Sequence, residues 1–192
     1  MITPGERADR YLNRVVQLSG GREPRIHAIP DTRREAHLPR VVAFAFLDTP
    51  EPGLITGFTY GLSLARHPNW RLGRPELAIT VESDDVGWPI AIGLMAERLR
   101  GDCPFSYGNT INIGEPITDE TRMTAFVVFG PAFPVEKEAS RIDVGDDLPI
   151  HLAGCYPIHE SEMDFITRHG LEAFWNLEWD PMDARRGPAV FD

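Results

Sequence analysis

A chain of 192 residues, 42% hydrophobic and 25% charged, carries enough apolar side chain for one folded domain and too much for a disordered one. A domain of this size buries about 70% of its unfolded surface, so its core needs no metal or disulfide staple. Lys+Arg at 19 against Asp+Glu at 29 leaves a formal charge of -10, which excludes general nucleic-acid binding without a local basic face, disfavours anionic membranes and permits a basic partner.

Lys137 is the only lysine and the other 18 basic residues are arginines, a skew that reads as GC-rich coding. Gly 17 and Pro 17 point to many short elements and turns. Cys103 and Cys155 stand alone, without CxxC spacing, and read as reduced, partly buried thiols of a cytosolic protein. Residues 1–7 lack the apolar core of a signal peptide, and the longest apolar run, 88–96, is far short of the ~20 residues that span a bilayer. The expected location is the cytoplasm.

Thr3-Pro4-Gly5-Glu6 forms a capping box with proline at the first helical position, where its missing N–H costs nothing. Ala8, Tyr11, Leu12, Val15 and Val16 follow on one face, and Gly20-Gly21 stops the helix. The arginine-rich stretch 22–40 holds one short strand at 25–29. Residues 40–49 read as a buried strand, 49–53 as a turn, and 54–63 as the antiparallel neighbour. In 75–82 (PELAITVE) apolar and polar residues alternate, predicting one buried face and one wet face.

After a turn at 84–87, a second helix starts at Trp88-Pro89 and runs to Gly101. It is apolar nearly all round through Met95, so it is expected to be packed on most sides, with its terminal charges reaching water. Further strands fall at 110–113, 124–129 and 150–156, and the acidic stretch 136–147 reads as an exposed loop. A third helix covers 160–169, breaks at Gly170 and resumes over 171–177. The order predicts an α+β fold: a mixed, mainly antiparallel sheet with one buried helix and flanking N- and C-terminal helices, in a single domain over 1–192.

Gly61-Leu62-Ser63-Leu64-Ala65 is the nearest approach to a catalytic motif, the G-x-S-x-G nucleophile elbow. That motif needs a strand-to-helix turn, and Pro68 interrupts any helix after Ser63. A strand-end loop is the reading, with a serine hydrolase the remote alternative. The histidines (His27, His37, His67, His151, His159 and His169) include no HExxH, and Glu162 and His169 lie two turns apart, so no metal site is expected. His159 reads as a helix cap. Phosphate-binding glycine motifs are absent, and the basic pairs Arg33-Arg34 and Arg185-Arg186 lack interleaved aromatics. No catalytic residue and no cofactor is assigned. The densest loop carboxylates, Asp84, Asp85, Asp143, Asp146 and Asp147, are the candidate partner-binding residues because loops carry function; solvated acidic loops are the plainer reading.

Several motifs in order say more than any one. Phe58-Thr59-Tyr60-Gly61-Leu62-Ser63 followed by Pro75-Glu76-Leu77-Ala78-Ile79 resembles the opening of the Suppressor-of-fused domain family. The apolar helix at 88–99, the glycine-led strand and Pro-Ile step at 108–117, and 150–158 leading into Glu160-Ser161-Glu162 match its middle. A helix ending in 169–174 and the closing Asp183-Ala184-Arg185-Arg186 with its apolar tail to Phe191 complete the order. His159 stands where the family has a capping threonine, which weakens the cap by up to ~1 kcal/mol. The resemblance covers about 40–192 and leaves 1–39 as an N-terminal helix and extension.

The resemblance implies binding, not catalysis. The animal family member sequesters a transcription factor, adding its peptide as a strand to the sheet, a mode that needs an accessible edge. Stand-alone bacterial members are regarded as immunity proteins that neutralise a cognate polymorphic toxin, and the arginine bias fits a bacterial genome. The length matches one family domain, so the animal protein's second domain is expected to be absent. The expectation is therefore an immunity protein, drawn to a basic toxin face by complementary charge. The alternative is a housekeeping regulator that binds a peptide by strand addition and has no toxin partner.

Overall fold

The capping box is formed: the Thr3 hydroxyl accepts the Glu6 N–H at 3.2 Å and the Glu6 carboxylate accepts the Thr3 N–H at 2.8 Å, opening α1 (Pro4–Leu18). This computed structural model describes residues 3–31, 38–134, 136 and 138–190. Arg33-Arg34, His37, Lys137 and Phe191 lie outside the described residues. Strands β1 (Arg25–Ala28), β2 (Val42–Leu47), β3 (Leu54–Tyr60) and β4 (Arg74–Glu82) form an antiparallel meander. Helix α2 (Gly87–Leu99) follows, then β5 (Thr110–Asn112), β6 (Ala125–Phe129), β7 (Arg141–Ile142) and β8 (Ile150–Ile158). Helices α3 (Glu160–His169) and α4 (Leu171–Trp175) end the series.

The result is an α+β fold on an open, mostly antiparallel sheet of eight strands, ordered β1-β2-β3-β4-β8-β6-β5 with β7 beside β8. The parallel pair is β4 with β8, which joins the meander to the later strands. One face of the sheet is covered by α2, whose Trp88, Ile92, Met95 and Ala96 pack on Ala43, Ala45, Ile55 and Ile79. Gly57 in β3 permits this approach, since a Cβ there would stand 2.8 Å from the Pro89 ring. The opposite face is shared. Tyr11 and Val15 of α1 cover Phe44, Phe58, Ala78 and Leu152. Ile166 of α3 and Phe174 of α4 cover Ala125, Val127, Tyr156 and Ile158.

Three expectations need correction. The alternation in 75–82 is present, yet both faces are buried, because the polar face carries its own partners: Glu76 is fully buried and Thr80 meets Thr56 at 3.0 Å. At the end of α2 only Arg98 is exposed; Glu97 and Arg100 are buried and paired at 3.0 Å. Glu97 also accepts the Val41 N–H at 3.1 Å, and Arg100 donates to the Pro39 carbonyl at 2.6 Å, so these charges fasten the entry to β2. The stretch 136–147 is not a plain exposed loop: it holds β7, and Ile142 and Val144 are buried beneath α1.

The last segment is stitched back onto the sheet. Beyond the β4–β8 pairing the Glu82 N–H donates to the Met182 carbonyl at 2.8 Å, and Ala184 is fully buried. Glu162, also fully buried, accepts from the His159 N–H at 2.8 Å, the Ala189 N–H at 2.6 Å and both terminal nitrogens of Arg186. The Arg186 guanidinium lies 4.6 Å from the Trp179 ring centroid and reaches the Pro157 carbonyl at 3.2 Å. Removing one partner of a buried pair strands the other charge. Glu162→Gln is therefore expected to lower the unfolding free energy by about 3–5 kcal/mol in urea melts. Arg168→Ala, which breaks the exposed pair with Asp164, is expected to cost under about 0.5 kcal/mol.

Candidate functional site

Ser63 sits in a single 3-10 turn, Leu62–Leu64, and is fully buried. Gly61, at φ +124 and where an added Cβ would stand 3.0 Å from the Val41 Cα, makes the bend that aims this turn at Glu76. The Glu76 carboxylate accepts the Ser63 hydroxyl at 2.6 Å, the Thr59 hydroxyl at 2.7 Å, the Gly61 N–H at 2.8 Å and the Ser63 N–H at 3.0 Å. Ser63 in turn accepts from Arg7 of α1 at 2.9 Å. A carboxylate is thus within reach of Ser63, but the hydroxyl is held between that acid and a guanidinium, out of water and without an imidazole. Its chemistry is that of a buried tie.

The five candidate aspartates are divided between the two ends of β4, a strand of nine residues that spans about 30 Å. At its C-terminal end, Asp85 accepts the Gly87 N–H at 2.7 Å, satisfying a donor at the start of α2. Asp84 is exposed and joins Asp48 and Glu82 around a depression of about 680 Å³, which Arg185 also lines. At the N-terminal end, Asp146 is bound by Arg7 at 2.7 Å and Arg74 at 3.5 Å, and Asp147 by Arg74 at 2.8 Å. Asp143 accepts the Gly145 N–H at 2.8 Å. Charge density along the chain did not reveal this pairing, because the arginines come from α1 and β4.

A feature that sequence reasoning missed is a groove of about 560 Å³ between the loops 69–73 and 104–107, floored by Pro75 of β4 and residues 151–153 of β8. The Trp70 indole donates to the Pro104 carbonyl at 2.8 Å and ties the two walls together. Leu72 and Tyr107, 82% and 62% exposed, stand on the rim. The Tyr107 ring is steadied by Phe129 at 5.1 Å. Burial, and then the charge of Arg141, hold the His151 imidazole below its ordinary value, so the floor is uncharged near neutrality. Asp147 lines the adjoining depression and shares Trp70 with the groove. The lone signal in the sequence was Leu72, an apolar residue among arginines and glycine.

Both thiols are free, and burial raises them above their ordinary range, Cys155 further than Cys103. Among the described residues no group of His, Cys, Asp and Glu could hold a metal ion, and no helix is long and apolar enough to cross a membrane.

An open α+β sheet with one face under a single helix and the other divided between terminal helices defines the class. Residues 39–192 match the sequence profile of the Suppressor of fused protein (SUFU) family, and the chain belongs to that family. Its structure is similar to that of a SUFU homolog from Neisseria gonorrhoeae FA 1090, with 18% identity, 96% of this chain and 97% of that one covered, and a TM-score of 0.74. A chain of the Sufu-Fu complex crystal structure matches with 9% identity, 94% and 91% coverage and a TM-score of 0.68. Drosophila Suppressor of Fused matches with 8% identity and a TM-score of 0.68; 98% of this chain aligns with 54% of that one. At these identities the likeness is one of fold. Comparison with curated protein sequences gives no match.

If Ser63 is a tie, Ser63→Ala removes one hydrogen-bonding group from Glu76 and Arg7 and is expected to cost about 1–3 kcal/mol in a urea melt. The native chain is expected to take up no fluorophosphonate at Ser63 by mass spectrometry; a stoichiometric adduct there would restore the hydrolase reading.

Proposed function

We propose that this chain is a non-catalytic protein-binding domain that occludes its partner through the groove rimmed by Leu72 and Tyr107, and that the partner is a cognate bacterial toxin with a basic face. In that role it is an immunity protein acting in the cytoplasm. The carrying observation is the pairing of exposed apolar side chains: Ile26, Leu72, Leu94 and Tyr107 are the large ones among the described residues, and two of them rim one concavity. Apolar side chains left in water around a concave surface mark interaction sites. Family membership supports binding, since a relative of this fold is known from a Sufu-Fu complex. The charge of -10 supports a basic partner, with Asp84 and Asp85 at one end and Asp147, 75% exposed, beside the groove as its contacts. Asp143 and Asp146 contribute less, the latter being neutralised by Arg7 and Arg74.

A second reading, a housekeeping regulator that takes a peptide strand without a toxin, is favoured by the edge position of β5. Tyr107 stands one residue before Gly108, whose N–H opens the β5–β6 ladder at 2.8 Å from the Val128 carbonyl.

Growth rescue separates the two. The product of the adjacent reading frame is expected to arrest a bacterial host, and the wild-type chain to relieve the arrest on co-expression. Leu72→Asp with Tyr107→Ser is expected to abolish relief while leaving the urea midpoint unchanged. A harmless neighbour overturns the toxin assignment, and relief that survives both substitutions overturns the groove. With the toxin in hand, Asp84→Asn, Asp85→Asn and Asp147→Asn together are expected to slow association about ten-fold at low salt. Rates indifferent to these changes and to salt would remove electrostatic steering.

A further inference from the structure

The end of the molecule that sequence reading took to be acidic is lined by arginine. Arg10, Asn13, Arg14 and Gln17 form one stripe of α1 at i, i+3, i+4 and i+7. They border a depression of about 500 Å³ closed on its other side by Arg141, Ile142 and Asp143. Its walls are fixed, because Tyr11 and Val15 of α1 share a buried cluster with Ile142 and Val144. Arg7, Arg74, Arg100, Arg168, Arg185 and Arg186 are ion-paired. Among the described residues no ion pair is formed by Arg10, Arg14 or Arg141; Arg14 donates to the Gln17 amide oxygen at 2.8 Å. Glu6, one turn before Arg10, is turned onto Thr3 at 2.8 Å, and Asp143 holds the Gly145 N–H.

Guanidinium forks beside side-chain amides select planar oxyanions, which they can bind through paired hydrogen bonds. Arg10 and Arg14 are separated by about 6 Å along the helix axis, close to the about 6.6 Å between alternate side chains of an extended peptide. The acidic depression lies at the opposite end of β4, about 30 Å away, several times the Debye length of about 10 Å at 0.1 M salt. Those distant carboxylates are therefore screened from this site. We infer that the α1–β7 depression binds a carboxylate-rich peptide segment, a run of Asp or Glu on a partner protein. The inference does not rest on the groove.

The test uses the full chain and a fluorescein-labelled dodecaglutamate peptide, read by fluorescence anisotropy at 0.1 M salt, with dodecalysine as the opposite-charge control. The wild-type chain is expected to bind dodecaglutamate. Arg10→Gln, Arg14→Gln and Arg141→Gln together are expected to weaken that binding at least about ten-fold and to leave dodecalysine and the urea midpoint unmoved. Should the triple variant fail to fold, Asp143→Asn provides the second arm: removing the one carboxylate in the depression is expected to tighten dodecaglutamate several-fold. Absence of binding by the wild type, or equal affinity in the arginine or Asp143 variants, overturns the proposal. Full displacement by inorganic phosphate at sub-millimolar concentration overturns it in favour of a phosphoryl site.

Discussion

A carboxylate taken out of water must be surrounded by donors, and this fold meets that demand at Glu76, Glu97 and Glu162, all fully buried. Burial of an unpaired charge costs several kcal/mol even after relaxation, so each position is tenable only when a particular set of segments is assembled around it. Glu76 gathers the Gly61–Ser63 bend and, through Ser63, the Arg7 of α1. Glu97 gathers Arg100 and the entry to β2. Glu162 gathers the start of α3 and the closing segment around Arg186 and Ala189. The apolar layers supply most of the driving force, and these ties decide which loop closes over which edge.

The ties also explain how an open sheet presents a stable concavity. The wall at 69–73 runs between the 3-10 turn held by Glu76 and β4 itself, and the wall at 104–107 follows the end of α2 held by Glu97. Trp70 joins the two with one hydrogen bond. Leu72 and Tyr107 are thus exposed on supports that cannot easily fold inward to hide them. Rigid presentation limits the ordering entropy lost on association.

Much of the fold was legible in the chain because its signals were local. The capping box at Thr3, the Gly20-Gly21 stop and the break at Gly170 each act within one turn of backbone, and the helices end where those residues say. The strands other than β7 were legible as extended runs. What the alternation in 75–82 could not convey is that its polar face is also covered, since Glu76 and Thr80 look solvent-facing until their partners arrive from β3 and the Ser63 turn. The buried pair Glu97–Arg100 hid for the same reason, its remaining partners lying at Val41 and Pro39. The groove was illegible because its lining comes from three separated stretches, none with a periodic pattern.

Family resemblance and binding surface occupy different residues. The motifs that carry the Suppressor of fused resemblance contain Ser63, Glu76, Glu97, Glu162 and Arg186, which are buried. The loops carrying Leu72 and Tyr107 fall between those motifs, as do Asp84, Asp85, Asp143, Asp146 and Asp147; of the groove, only its floor at Pro75 and 151–153 lies inside them. A shared scaffold at 8–18% identity therefore speaks for the sheet and its covering helices, not for the rim. Net charge, too, is unevenly placed. The total of -10 is an average over one end where Asp48, Glu82 and Asp84 stand open and another where Asp146 and Asp147 are bound by Arg7 and Arg74 beside the further arginines of α1 and β7. At physiological salt a charge is screened beyond about 8 Å, so the two ends present different local fields.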